Sequence, residues 1–213
     1  MKTLYPLISF NKTRLDEFAS CFKPVRKSYA KGEVIMRLDE RNKSVGILTS
    51  GTAHLVTTTF EGTKTIIDYF EQGNIFGRRF SPCTQIDPYL VIAKTKCTVW
   101  LVDYEKIITC CERRCDKHIR LIDSMILTMT QRAQLHVEVL GKRSIRGKLL
   151  CYFYHVSQAR QARTFMLPLS LSDLADYISA DRSAMMREIK KLNEEKIIVS
   201  RASKVTILKQ ISI

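Results

Sequence analysis

The chain has 213 residues, of which 45% are hydrophobic and 26% charged. That composition suits one large or two modest globular domains and excludes whole-chain disorder, collagen and a simple coiled coil. Thirty-five Lys and Arg against 21 Asp and Glu give a net charge of +14, which points to a polyanionic partner, nucleic acid or an anionic membrane surface, with simple solubility as the competing reading.

No apolar run approaches the roughly 20 residues that a membrane helix needs. The opening stretch, MKTLYPLISFNKTR, lacks the apolar core of a signal peptide. A cytoplasmic location with no membrane partner is expected. Seven cysteines, an odd number, argue for thiols or ligands rather than a disulfide framework.

In residues 28–102, β-branched and aromatic residues alternate between turn signals. Lys31-Gly32, Ser50-Gly51, Glu61-Gly62 and Gln72-Gly73 punctuate the runs SVGILT, AHLVTT, KTIIDYF and CTVWLV. Short strands between Gly turns predict an antiparallel sandwich or barrel-like roll.

From residue 103 the period changes to that of a helix. Ile119, Ile122, Ile126, Met129, Ala133, His136 and Leu140 step by alternating threes and fours, a heptad seam. Such a stripe can pack on its own sheet or pair with a second copy. Its length, and its position between two domains, favour pairing. His136 on the seam is expected as a packed or interchain contact rather than a metal ligand.

After Gly141 come further helices and a strand-like tail. Ser170 is a helix N-cap with Asp173 three residues on. Leu174, Ala175 and Ile178 form an apolar face, and the small Ala175 admits a second helix. Ser179-Ala180 breaks the chain. Asp181 then caps a second helix whose inward face is Ala184, Met185, Ile189 and Leu192. Arg182, Ser183, Met186, Arg187 and Lys190 are left outward, which describes a helix-turn-helix whose second helix enters the DNA major groove. Ile197–Ser200 and Lys204–Leu208 flank Arg201-Ala202-Ser203 as a hairpin wing, placing Arg201 and Lys204 near phosphates. Charge is densest here: residues 141–213 hold 14 basic and 6 acidic residues, against 21 and 15 in residues 1–140.

The whole of this pattern, over about residues 20–210, resembles the Crp/Fnr family of bacterial transcription regulators. The resemblance rests on the run from KGEVI through LVD, the Gly turns, the heptad helix, the Arg146-Gly147-Lys148 step, and DLADYISADRSAMMREIKKL with its wing. It implies an α+β fold: an N-terminal antiparallel β-roll (double-stranded β-helix or jelly roll), a long dimerisation helix and a C-terminal winged helix-turn-helix. The corresponding domains are 1–115 for the sensor roll, 116–140 for the dimerisation helix and 141–213 for the DNA-binding domain. It also implies a homodimer, a palindromic double-stranded operator, RNA polymerase as a partner, and base-reading roles for Arg182, Ser183 and Arg187.

The resemblance places an effector pocket at Phe76, Gly77, Arg78, Arg79, Pro88, Tyr89 and Met129. Nucleotide-binding members carry a Glu after Phe/Leu-Gly for the ribose hydroxyl, then an Arg-Ser or Arg-Thr for the cyclic phosphate. Here Arg78 stands at the Glu position and Pro88-Tyr89 at the Arg-Ser position. Arg78 cannot accept from a hydroxyl, and the phosphate loses its charge-assisted partner. Cyclic AMP is therefore not expected to bind as in the nucleotide-sensing members. Arg78 and Arg79 either hold a different anion or form a solvated pair.

Some members sense through iron–sulfur clusters or haem. Only Cys21 lies near the N-terminus, while Cys110, Cys111 and Cys115 lie just before the heptad helix. A shared metal, or redox sensing by a thiol beside Arg113 and Arg114, remains open, with inert thiols as the reading followed. His54, His118, His136 and His155 have no diagnostic spacing, and HExxH, CxxCH, Walker and GxSxG motifs are absent. No cofactor, no metal and no enzymatic activity are expected. The expected function is a sequence-specific regulator responding to an unidentified small-molecule effector. The alternatives are a sensory module acting through protein partners and a thiol- or metal-based redox regulator.

Overall fold

The computed structural model describes residues 19, 22–39, 42–58, 64–77, 89–109 and 116–211. The described residues divide into two compact units, one ending at Met129 and one beginning at Thr130. The boundary falls inside the longest helix.

The first unit is built from β1 (Val25–Tyr29), β2 (Val34–Leu38), β3 (Ser44–Ser50), β4 (Ala53–Thr58), β5 (Lys64–Phe70), β6 (Ile75–Gly77), β7 (Tyr89–Ala93) and β8 (Cys97–Asp103). The short helix α1 (Tyr104–Ile108) and the long helix α2 (Asp116–Leu140) follow. The strands form two four-stranded sheets, ordered β1-β8-β3-β6 and β2-β7-β4-β5, with antiparallel pairing throughout. This is the expected antiparallel roll, and the runs SVGILT, AHLVTT, KTIIDYF and CTVWLV lie in β3, β4, β5 and β8.

Side-chain alternation explains why the first sheet reads as nearly continuous apolar sequence. Leu48, Phe76, Cys97 and Val99 point into the roll, where they meet Ile35, Met36, Leu38, Leu55, Phe70 and Val91. Their neighbours Val45, Ile47, Ile75 and Val102 face the other way. There they pack with Phe22, Ile107 of α1 and Met125 of α2. Both faces are therefore covered, so both sets of alternate positions must be apolar. Gly51 turns the chain between β3 and β4 with φ +89°. A Cβ there would stand 2.4 Å from the carbonyl oxygen of Lys96, so the turn needs glycine on two counts.

The second unit contains the end of α2, then α3 (Ile145–Arg160), β9 (Thr164–Met166), α4 (Leu171–Tyr177), α5 (Arg182–Glu194), β10 (Ile198–Arg201) and β11 (Lys204–Ile207). Its three strands are ordered β10-β11-β9. The strand β9 was not anticipated from sequence. Three residues are too few for periodicity to register, and their partner β11 lies about 40 positions onward, with Phe165 opposite Val205. Tyr152, Phe153, Leu174, Tyr177, Met185, Leu192 and Val205 are fully or nearly fully buried in this unit. No helix among the described residues is long and apolar enough to cross a membrane.

Candidate nucleic-acid interface

Two caps define the helix pair. Ser170 Oγ accepts from the Asp173 backbone N–H at 3.2 Å and donates to the Asp173 carboxylate at 2.5 Å, starting α4. Asp181 Oδ1 accepts from the Ala184 N–H at 2.8 Å, starting α5. Both caps were expected from sequence. Between them Ser179 takes a left-handed conformation, φ 51°, which turns the chain sharply without a glycine. Ala175 is buried, and its missing bulk lets α5 approach α4. Lys148 closes the far end of α4 by donating to the carbonyl of Ile178 at 2.8 Å.

On α5 the inward residues are Met185, Ile189 and Leu192, all buried. Ala184, expected on the same face, is half-buried. The opposite face exposes Arg182, Ser183, Met186, Arg187 and Lys190. Among the described residues neither Arg182 nor Arg187 has an ion-pair partner. Lys190 meets Glu194 at 3.8 Å, but both side chains are well exposed, so that pair contributes little.

Two acids, Glu188 in the middle of α5 and Glu195 just past its end, are drawn toward α3. Arg146, in the first turn of α3, donates to Glu188 at 3.1 Å and to Glu195, just past the helix, at 2.9 Å. Lys191 also lies 4.0 Å from Glu188. The Arg146 guanidinium holds the Glu195 carboxyl below the usual carboxylate range, chiefly by its hydrogen bond. Apart from Glu194 beside Lys190 at its C-terminal end, the outward face presents cations, a hydroxyl and a thioether, the chemistry suited to phosphates and base edges.

The wing is the β10–β11 hairpin, turned through Ala202 at φ 51°. Arg201 and Lys204 face each other across its tip, and both are exposed. Asn193, at the end of α5, accepts from the Ser200 N–H at 2.7 Å and donates to the Ile189 carbonyl at 2.7 Å. One side chain thus fastens the wing to the helix. Sequence inspection did not single out Arg146, Lys148 or Asn193 for these contacts. Each acts on a partner in a different element, or on both its own helix and the next.

The effector-pocket candidates are only partly within the described residues. Arg78, Arg79 and Pro88 lie outside them. Phe76 is fully buried on β6, its ring 5.1 Å from that of Phe70. Gly77 pairs with Val45, and Tyr89 opens β7 opposite Leu38. Met129 is half-buried on α2.

Along α2, Ile119, Ile126, Ala133 and Leu140 are exposed at intervals of seven residues. The alternate seam positions are more enclosed. Ile122 packs against the outer cluster of the roll, and His136 stacks on Tyr177 with ring centroids 5.1 Å apart. Val137, which was not assigned to the seam, is 72% exposed.

Of the cysteines, Cys97 and Cys151 are buried thiols, and the other five lie outside the described residues. His54 is buried on β4, and the side chain of His118 lies outside the described set. The structure also brings together three groups that sequence spacing did not connect: Glu138, Cys151 and His155, whose donor atoms all lie within 4.8 Å of one another.

Comparison with known proteins matches residues 26–114 to the cyclic nucleotide-binding domain family and residues 147–210 to the Crp-like helix-turn-helix domain family. The nitrogen fixation regulation protein FixK of Rhizobium meliloti (strain 1021) is 23% identical over 181 residues, covering 84% of this chain and 77% of that protein. The structure of FixK2 from Bradyrhizobium japonicum superposes with a TM-score of 0.67 at 19% identity, covering 89% of this chain and 99% of that one. CprK complexed with OCPA gives a TM-score of 0.70 at 16% identity, covering 92% and 91%. At these identities the two structures speak to the fold. Carrying a cyclic nucleotide-binding domain followed by a Crp-like helix-turn-helix, the chain belongs to the Crp/Fnr family of DNA-binding transcription regulators.

Proposed function

We propose that the protein is a homodimeric regulator that binds a palindromic operator through α5, while its roll responds to an effector other than cyclic AMP. The observation that carries the DNA-reading role is the face of Arg182, Ser183, Met186, Arg187 and Lys190, opposite a buried Met185-Ile189-Leu192 face. In this reading Arg182, Ser183 and Arg187 touch bases. Lys190, Arg201, Lys204 and Ser170 position the domain on phosphates.

The exposed heptad positions Ile119, Ile126, Ala133 and Leu140 support pairing of α2 with a second copy. Two recognition helices would then meet half-sites about one helical turn apart, ~34 Å. The effector acts by binding one dimer geometry more tightly than another. Arg78 in place of a carboxylate, and Pro88-Tyr89 in place of Arg-Ser, support the exclusion of cyclic AMP's usual contacts. The protein works by binding rather than catalysis, in the cytoplasm, with RNA polymerase as the downstream partner.

The test is DNA binding measured against salt. Affinity should fall steeply and linearly with log salt as phosphate counterions are released. Arg182→Ala should cost specific binding about 1–3 kcal/mol. Flat salt dependence would instead favour a module acting through protein partners. An unchanged preference for operator over random DNA would remove Arg182 from base reading.

A further inference from the structure

The strongest feature that DNA recognition leaves unused lies where the last turn of α2 meets the middle of α3. Cys151 and His155 are one helical turn apart on α3, so their side chains share a face. Glu138 approaches them from α2, with its Oε2 2.7 Å from His155 Nε2. Cys151 and His155 are buried, and Glu138 is half-buried. The sulfur, imidazole nitrogen and carboxylate oxygen all lie within 4.8 Å of one another.

We propose that Glu138, Cys151 and His155 form a site for one divalent transition-metal ion of the zinc class, joining α2 to α3.

Sulfur, nitrogen and oxygen donors together are the set that zinc accepts. Bond lengths of about 2.3, 2.0 and 2.1 Å in tetrahedral array require donors about 3.3–3.6 Å apart. The existing separations reach that spacing by side-chain movements on the order of 1 Å or less. Charge also balances. A thiolate and a carboxylate neutralise a dication, so the filled site adds no net charge to a mostly enclosed place. On binding, the thiol proton leaves to water, and His155 carries its one ring proton on Nδ1, which frees Nε2 for the ion in place of its hydrogen bond to Glu138. Three protein ligands leave a fourth position for water. Burial pushes the Cys151 thiol up, with Lys142 opposing that shift and Glu138 adding to it, and the flexible stem of Lys142 lets its ammonium withdraw from the ion. Such an ion fastens the end of α2 to the helix that carries Arg146 and Lys148, which hold the helix-turn-helix in place.

The test uses the full chain with Co²⁺ as an optical probe and Zn²⁺ as competitor. One Co²⁺ per chain should bind, with a thiolate-to-cobalt charge-transfer band and the intense visible bands of four-coordinate cobalt. Stoichiometric Zn²⁺ should erase both. Cys151→Ser should lose the charge-transfer band while keeping the parent far-UV circular dichroism. Glu138→Gln, at a half-exposed position, should weaken Co²⁺ by at least about tenfold, and it decides the matter if the Cys151 variant does not fold. The proposal is overturned if the parent shows only weak six-coordinate cobalt bands. It is also overturned if the thiolate band survives in Cys151→Ser, or if Glu138→Gln binds Co²⁺ as tightly as the parent.

Discussion

The ring of Phe76 lies across the backbone of Gly46: a Cβ on that glycine would stand 2.3 Å from Phe76 Cε2. The two residues face each other across the β3–β6 pair, and the ring is fully buried inside the roll. Gly46→Ala should therefore destabilise the protein by about 1–3 kcal/mol through overpacking. Phe76→Ala should cost about 3–5 kcal/mol through the cavity it leaves. With the ring gone the new methyl has room, so the double variant should lose less than the sum of the two. Chemical denaturation of all four proteins reads the coupling. Additivity within about 0.5 kcal/mol would mean that the two do not interact.

The caps of the helix pair make a second comparison. Asp181→Ala removes one acceptor from an exposed helix start and should cost about 1 kcal/mol. Ser170→Ala removes both the acceptor for the Asp173 N–H and the donor to its buried carboxylate. Its loss should be the larger, up to about 2 kcal/mol. Urea midpoints at constant slope measure both, and the reverse order would contradict the buried bond to Asp173.

The Arg146–Glu195 pair predicts a pH dependence. Glu195 titrates below its ordinary range because Arg146 binds the charged form. The stabilisation is thus fully present above the ordinary Glu pKa and is lost as pH falls through the lowered value. Arg146→Ala should be less stable than the parent at neutral pH, with the gap narrowing on acidification below the carboxylate range. A gap that stays constant from neutral to acid pH would show that the pair does not contribute in this way.

On α2, Ile126 is 57% exposed and sits in the middle of the seven-residue stripe. Ile126→Lys should leave the far-UV circular dichroism intact, since little of the side chain is buried within the chain. It should shift sedimentation from dimer to monomer and weaken operator binding in parallel. A dimer as stable as the parent would place the contact elsewhere on the helix, with the 72% exposed Val137 as the next position to examine.

Much of this molecule was legible from residue spacing. The runs that became β3, β4, β5 and β8, the two caps, the break at Ser179-Ala180 and the cationic face of α5 all depend on relations within a few residues. The heptad stripe was also visible, but spacing alone does not say which of its positions are enclosed. Ile122 is covered by the roll, and His136 is covered by Tyr177. Those contacts depend on which other elements lie against the helix.

By itself the sequence determined the local periods, the helix ends, the concentration of positive charge and, through their order, the family. Periodicity and capping are short-range properties, and the side chains that produce them are neighbours in the chain. Tertiary structure alone decided the strand order β1-β8-β3-β6 and the recruitment of β9. It also decided the grip of Arg146 on Glu188 and Glu195, 42 and 49 residues away, and the meeting of Glu138 with Cys151 and His155. Those pairings exist because packing brings distant faces to within a few ångströms, and no spacing along the chain encodes which faces will meet.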